Sequence, residues 1–145
     1  MTCTRRHHIG GNYTEGIVTT VDLASCGLTG SISSSIGDLK ELQNLRLFSN
    51  KIEGTIPLSL SLLTNLKVLW LHENKLTGTI PSNLATLSQL QQLRLDSNQL
   101  TGDLPAALGD PAQQPNMEVL ITYNNLLGVS QITPLGCGHQ FRCGV

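Results

Sequence analysis

Apolar residues recur along this chain at a fixed interval, and within each interval they alternate with polar or aromatic ones. In "LRLF" from Leu45 and "LWLH" from Leu69 every second residue is leucine, the period of a strand with one buried face. Aligning "LQNLRLFSNKIEGTIPLSLSLLTN" from Leu42 with "LKVLWLHENKLTGTIPSNLATLSQ" from Leu66 and "LQQLRLDSNQLTGDLPAALGD" from Leu90 puts their starts 24 residues apart. An earlier copy begins at Val18, with Cys26 in the asparagine column and Ser33 in the proline column. A fifth begins at Met117, three residues late after "DPAQQPN", and then loses the pattern at Val129, where glycine is expected. Four in-phase copies and a degenerate fifth predict a stack of coils, each burying its faces against its neighbours.

Each column has a physical role. One short strand per coil, followed by a return of roughly twenty residues, predicts a parallel sheet wound with right-handed crossovers. Asn50, Asn74, Asn98 and Asn125 are expected where the chain leaves the strand, their amides turned inward. A buried turn leaves backbone donors and acceptors that cost about 1–3 kcal/mol each when unmet, and a carboxamide can satisfy both kinds. Cys26 replaces the amide in the first coil and is expected to be an unpaired, structural thiol. Gly30, Gly54, Gly78 and Gly102 permit the next bend. Pro57, Pro81 and Pro105 suit the first position of a short helical turn. Leu60 with Leu63, and Leu84 with Leu87, then point that convex turn back into the core. The end coils need covers, which assigns residues 1–17 to an N-terminal cap, 18–129 to about five repeats and 130–145 to a C-terminal cap.

The consensus L-x-x-L-x-L-x-x-N-x-L-x-G-x-I-P-x-x-L-x-x-L, over about residues 18–127, resembles the plant-type leucine-rich repeat of receptor-kinase ectodomains and secreted polygalacturonase inhibitors. The resemblance implies an α/β solenoid with a short parallel sheet on its concave face and short helical or 3-10 turns on its convex side. It also implies a non-catalytic recognition module for a protein, peptide or cell-wall glycan, in cell-surface sensing or defence. An extracellular or cell-surface location follows by the same resemblance, although "MTCTRRHHIGGN" has no apolar signal-peptide core and a cytosolic location stays open. The alternative is an assembly scaffold without a concave-face ligand.

If the leucines face inward, period two sends their neighbours outward. One row across the strands then reads Asp22, Arg46, Trp70, Arg94, Ile121. The next reads Ala24, Phe48, His72, Asp96, Tyr123, and a third, just past the strands, reads Ser25, Ser49, Glu73, Ser97, Asn124. Of five aromatic residues in the chain, three fall on this face. Aromatics and arginine are the types enriched in binding hot spots, and an arginine on each side of Trp70 is placed for cation–π contact. The expected ligand-binding set is Arg46, Phe48, Trp70, His72, Glu73, Arg94, Asp96 and Tyr123. The same side chains could instead only stabilise the sheet through cross-strand pairs.

Charge narrows the partners. Nine basic residues against ten acidic ones leave no basic stripe for nucleic acid, and no apolar run is long enough to span a membrane. No phosphate loop or nucleophile elbow is present, and no cofactor is expected. His72, Asp96 and Ser97 fall on adjacent coils like a triad, but on an open face without oxyanion donors. "CGHQFRC" resembles the C-terminal cap of plant-type ectodomains, which implies a Cys137–Cys143 disulfide. A metal site on Cys137, His139 and Cys143 is the alternative, with three ligands at most. Cys3 resembles the second cysteine of the N-terminal cap, so it belongs to a truncated cap or is a free thiol. One glycosylation sequon is present, Asn12-Tyr13-Thr14.

Overall fold

The leucine and asparagine columns build the coil from inside outward. The computed structural model describes residues 16–108, 116–127 and 141–142. Short parallel strands line one face: β1 (Thr20–Asp22), then, after β2 (Thr29–Gly30), β3 (Asn44–Arg46). After β4 (Lys51–Thr55) come β5 (Val68–Trp70), β6 (Lys75–Thr79), β7 (Gln92–Arg94) and β8 (Gln99–Asp103). The series ends with β9 (Glu118–Leu120), β10 (Asn125–Leu127) and β11 (Phe141–Arg142). The odd-numbered strands form one six-stranded sheet in sequence order, and the even-numbered strands a second, five-stranded one. Three 3-10 turns, Ser34–Asp38, Leu58–Leu62 and Ser82–Thr86, close the coils on the opposite side.

The core is a column of aliphatic side chains between these layers. Leu45, Leu69 and Leu93 from the first sheet, Leu76 and Leu100 from the second, and Leu60, Leu63, Leu84 and Leu87 from the turns all have 0 % exposure. Burying a leucine fully stabilises by about 1.5–3 kcal/mol, and each of these residues packs against its counterparts one period away.

The asparagines behave as a ladder between coils. Asn98 Nδ2 donates to Leu95 O in its own coil and to Leu71 O in the previous one, both at 3.0 Å, while its Oδ1 accepts from Leu76 N. Asn74 repeats this with Leu71, Leu47 and Ile52. Asn50 accepts from both Cys26 N and Leu28 N.

In the last coil the rung is Asn124, not Asn125. Its Nδ2 donates to Leu95 O and Ile121 O, and its Oδ1 accepts from Leu100 N. The strand register agrees: Leu93 pairs with Val119 and Arg94 with Leu120. The spacing there is 26 residues, so the insertion is two residues long rather than three, and every position in this coil shifts by one. The run Val119-Leu120-Ile121 is apolar throughout, so alternation alone could not choose the register; hydrogen bonding to β7 chose it.

Four other expectations change. The second sheet was not anticipated, because its strands follow closely on the turn, and β2, β4, β6 and β8 each carry a glycine. Those glycines belong inside its strands: Gly78 and Gly102 have φ of 75° and 77°, where a side chain is strained. A Cβ on them would stand 2.9 and 2.8 Å from the methyls of Thr55 and Thr79. Pro57 and Pro81 sit one residue before their turns, as N-caps whose carbonyls accept from Leu60 N and Leu84 N. Cys26 is disulfide-bonded, so its sulfur is held covalently and is not the free thiol expected. Asn12, Cys3, Cys137, His139 and Cys143 lie outside the described residues, as do residues 1–15. Of the C-terminal segment, β11 pairs in parallel with β9 and covers the edge of the first sheet.

The ladder assignment is testable. Asn124→Ala should destabilise the protein by about 1–3 kcal/mol in urea unfolding, with loss of hydrogen-exchange protection at the Leu100 amide. Asn125→Ala, at an exposed position, should stay within about 0.5 kcal/mol.

Candidate functional site

Alternation in β3, β5 and β7 puts Leu45, Leu69 and Leu93 inward and Arg46, Trp70 and Arg94 outward on one row, directly paired across the strands. Trp70 is half-buried, whereas Leu69 and Leu71 on either side of it are fully buried. The indole therefore faces the concave surface. What covers half of it comes from adjacent positions on that surface.

Arg46 lies over the indole with its guanidinium carbon 4.8 Å from the ring centroid, and Nη1 also reaches Asp22 Oδ2 at 3.5 Å. Phe48 meets Trp70 edge-on at 5.9 Å between centroids. On its other side Phe48 stacks on His72, centroids 4.6 Å apart and planes within 6°. Aromatic pairs of this kind contribute about 0.5–1.5 kcal/mol beyond their buried area. Arg94 does not join the cluster as a second cation on Trp70. Its Nε and Nη2 fork onto the two carboxylate oxygens of Asp96, at 3.2 and 3.1 Å.

The expected set thus divides. Arg46, Phe48, Trp70 and Arg94 present partly open side chains on one continuous patch. Glu73 is exposed beside them and accepts a short hydrogen bond from the Ser49 hydroxyl. His72 and Asp96 share the patch but are only 4 % and 7 % exposed: the Phe48 stack covers the imidazole, and the Arg94 fork accompanies the buried carboxylate. They support the surface rather than form it. Tyr123 leaves the strand row altogether. It falls in the column of Ser25, Ser49, Glu73 and Ser97, residues just past the strands with φ of 53–56°, and is itself 71 % exposed at φ 56°. Its place in the row beside Asp96 is taken by Thr122. Ile121 is buried, and Leu120 is the outward residue next to Arg94. Sequence reading missed Leu120 because the register was shifted by one.

Trp70, Gln92, Arg94, Glu118 and Leu120 line a cavity of ≈ 270 Å³ on this face. The indole Nε1 is buried without a hydrogen-bond partner. A larger, shallower groove of ≈ 550 Å³ crosses the second sheet over Gly30, Gly54, Glu53, Lys75, Thr77 and Gln99. It has no aromatic wall, so the concave cavity is the better-built site. Among the described residues no cluster of His, Cys, Asp or Glu could hold a metal ion, and no helix is long and apolar enough to cross a membrane.

Burial lowers the His72 pKa, helped by the nearby Arg94 cation and opposed by Asp96 and Glu73. The folded chain therefore holds this proton less tightly than the unfolded one, whose imidazole titrates near 6.5. Stability should be unaffected by this group above that value and should fall as pH drops through 6.5 towards the lower folded pKa. Thermal unfolding of the wild type at pH 7 and pH 5 should show this loss, and His72→Gln should lose less over the same interval.

Profiles described as leucine-rich repeat match residues 18–39 and 40–100, together more than half of the chain. Among curated protein sequences nothing matches. Among solved structures, a plant ice-binding protein is 35% identical over 75% of this chain, with a TM-score of 0.71. The BIR3–SERK2 complex from Arabidopsis thaliana is 33% identical over 81% of the chain, TM-score 0.73. The Arabidopsis receptor kinase HAESA ectodomain, in complex with an IDA peptide hormone ligand, is 35% identical over 68%, TM-score 0.60. The chain spans 35%, 62% and 16% of those three structures' own chains. With its 24-residue coils, asparagine ladder, parallel concave sheet and 3-10 turns, this chain belongs to the leucine-rich-repeat family and is of the plant type.

Proposed function

We propose that this chain is a non-catalytic recognition module that binds a peptide or a protein segment on its concave face, in a cell-surface or extracellular setting. The observation that carries the reading is the half-open Trp70 beside a ≈ 270 Å³ cavity, buttressed by Phe48 and Arg46. An aromatic and arginine cluster of this kind is the composition of binding hot spots. A protein–protein complex and a peptide-hormone complex among its structural relatives support the same class of partner.

Size limits the affinity of the isolated chain. Strands about 4.8 Å apart give the six-stranded sheet a face about 25 Å long. With strands of two or three residues its area is on the order of a few hundred Å², below the ~800 Å² per partner of a standard interface. A short extended peptide fits this length; a globular protein would need additional coils or a co-receptor surface.

The ice-binding relative raises a different use, for the second sheet. Across that sheet Thr55 stands beside Thr77 and Thr79 beside Thr101, but Gln99 follows Thr77 and the next row pairs Glu53 with Lys75. Charges hold their own hydration shells and break the regularity that ordered water would need, so this sheet supports that reading poorly. The scaffold alternative has the exposed Leu58 and Leu62 on the convex side in its favour, but these are only two side chains on one turn.

Selecting a displayed library of linear peptides on the purified chain tests the proposal. Enriched peptides should bind Trp70→Ala and Phe48→Ala at least about tenfold more weakly in calorimetry, as removal of a hot-spot residue requires, and should bind Leu58→Ala unchanged. Peptides that bind Trp70→Ala as well as wild type, or no enrichment at all, would overturn it.

A further inference from the structure

We infer that the Trp70 cavity selects a basic side chain, so that the partner is a peptide or protein segment carrying an exposed lysine or arginine there. This rests on the concave-face reading and adds the chemistry of the group received.

The charge inventory of the face points this way. Outward positions of β1, β3, β5, β7 and β9 and their exits carry Asp22, Glu73, Asp96 and Glu118 against Arg46 and Arg94. Both arginines are already neutralised within the face, Arg46 by Asp22 and Arg94 by Asp96. An incoming anion would have to compete with carboxylates in place, one of them buried. The remaining acids, Glu73 and Glu118, make no ion pair among the described residues, and both are exposed. Among the described residues, then, the face carries two carboxylates without an ion-pair partner, on a chain whose overall charge is only −1.

The cavity has the shape of such a ligand's chemistry. Trp70 and Leu120 supply apolar walls for the methylene stem of a lysine or arginine, which buries its hydrocarbon and keeps its charge at an open end. Gln92 offers an amide carbonyl and Glu118 a carboxylate for the head group. The indole face is also a favourable surface for a cation, and on one side Arg46 already uses it that way.

Trp70 is the only tryptophan in the chain, so its fluorescence and its indole N–H resonance report the cavity alone. The probes are the blocked tripeptides acetyl-Gly-Arg-Gly-amide, its lysine and norleucine counterparts, and its glutamate counterpart. The arginine and lysine peptides should produce a saturable change in the Trp70 signal at concentrations where the norleucine and glutamate peptides do not. Glu118→Gln should weaken the cationic response about two- to fivefold, the scale of one partly solvated ion pair, and leave the thermal midpoint in place; added salt should weaken it in wild type. An equal response to norleucine, or a cationic response indifferent to Glu118→Gln, would overturn the basic-side-chain inference while leaving concave-face binding intact. Peptides from the library selection that bind without perturbing Trp70 would instead count against the concave-face reading itself.

Discussion

The structure depends on one repeated interaction, the asparagine side chain that ties each turn to the coil before it. A 24-residue coil has no interior of its own; its leucines are buried only because identical rows lie above and below. Stacking brings each turn's backbone amides and carbonyls away from water, where an unmatched one is costly. Asn98, itself 8 % exposed, donates to two carbonyls of its own coil and one of the preceding coil, and accepts from the Leu76 amide of that same preceding coil. The strands can then be as short as three residues, since register is held at the turn as well as in the sheet.

That arrangement leaves the concave face free to vary. Inward positions are confined to aliphatic residues by packing, but outward ones meet only one another, so they can carry charge and aromatic rings without disturbing the core. Here they form a chain of contacts running across the strands: Asp22 to Arg46, Arg46 over Trp70, Trp70 edge-on to Phe48, Phe48 stacked on His72. Each link joins residues on neighbouring coils. The patch is consequently preorganised, which lowers the ordering cost of binding, and its two cations are already occupied.

Much of this was legible from residues alone, and the failures are instructive. Leu69 and Leu71 flank Trp70 so regularly that its outward direction needed no coordinates. In the last coil the same logic slipped by one, because Val119, Leu120 and Ile121 are all apolar and Asn124 and Asn125 are both asparagine. The exposure of outward residues was also illegible: His72 and Asp96 occupy surface columns yet are covered by Phe48 and accompanied by Arg94. Nothing local announces this, since Phe48 lies one full coil away in sequence.

By itself the sequence determined the period, which side chains of the first sheet's strands point inward or outward in the four regular coils, and the columns that must be aliphatic, amide or glycine. Those follow from a strand's two-residue repeat and from backbone groups that must be satisfied wherever the chain turns inside. Only the tertiary structure decided the register of the irregular fifth coil, the second sheet, the covalent commitment of Cys26 and which surface residues remain open. Most of these are settled by a neighbour one coil distant, as when Phe48 covers His72, where hydrogen bonding and steric cover act between residues that local pattern does not connect.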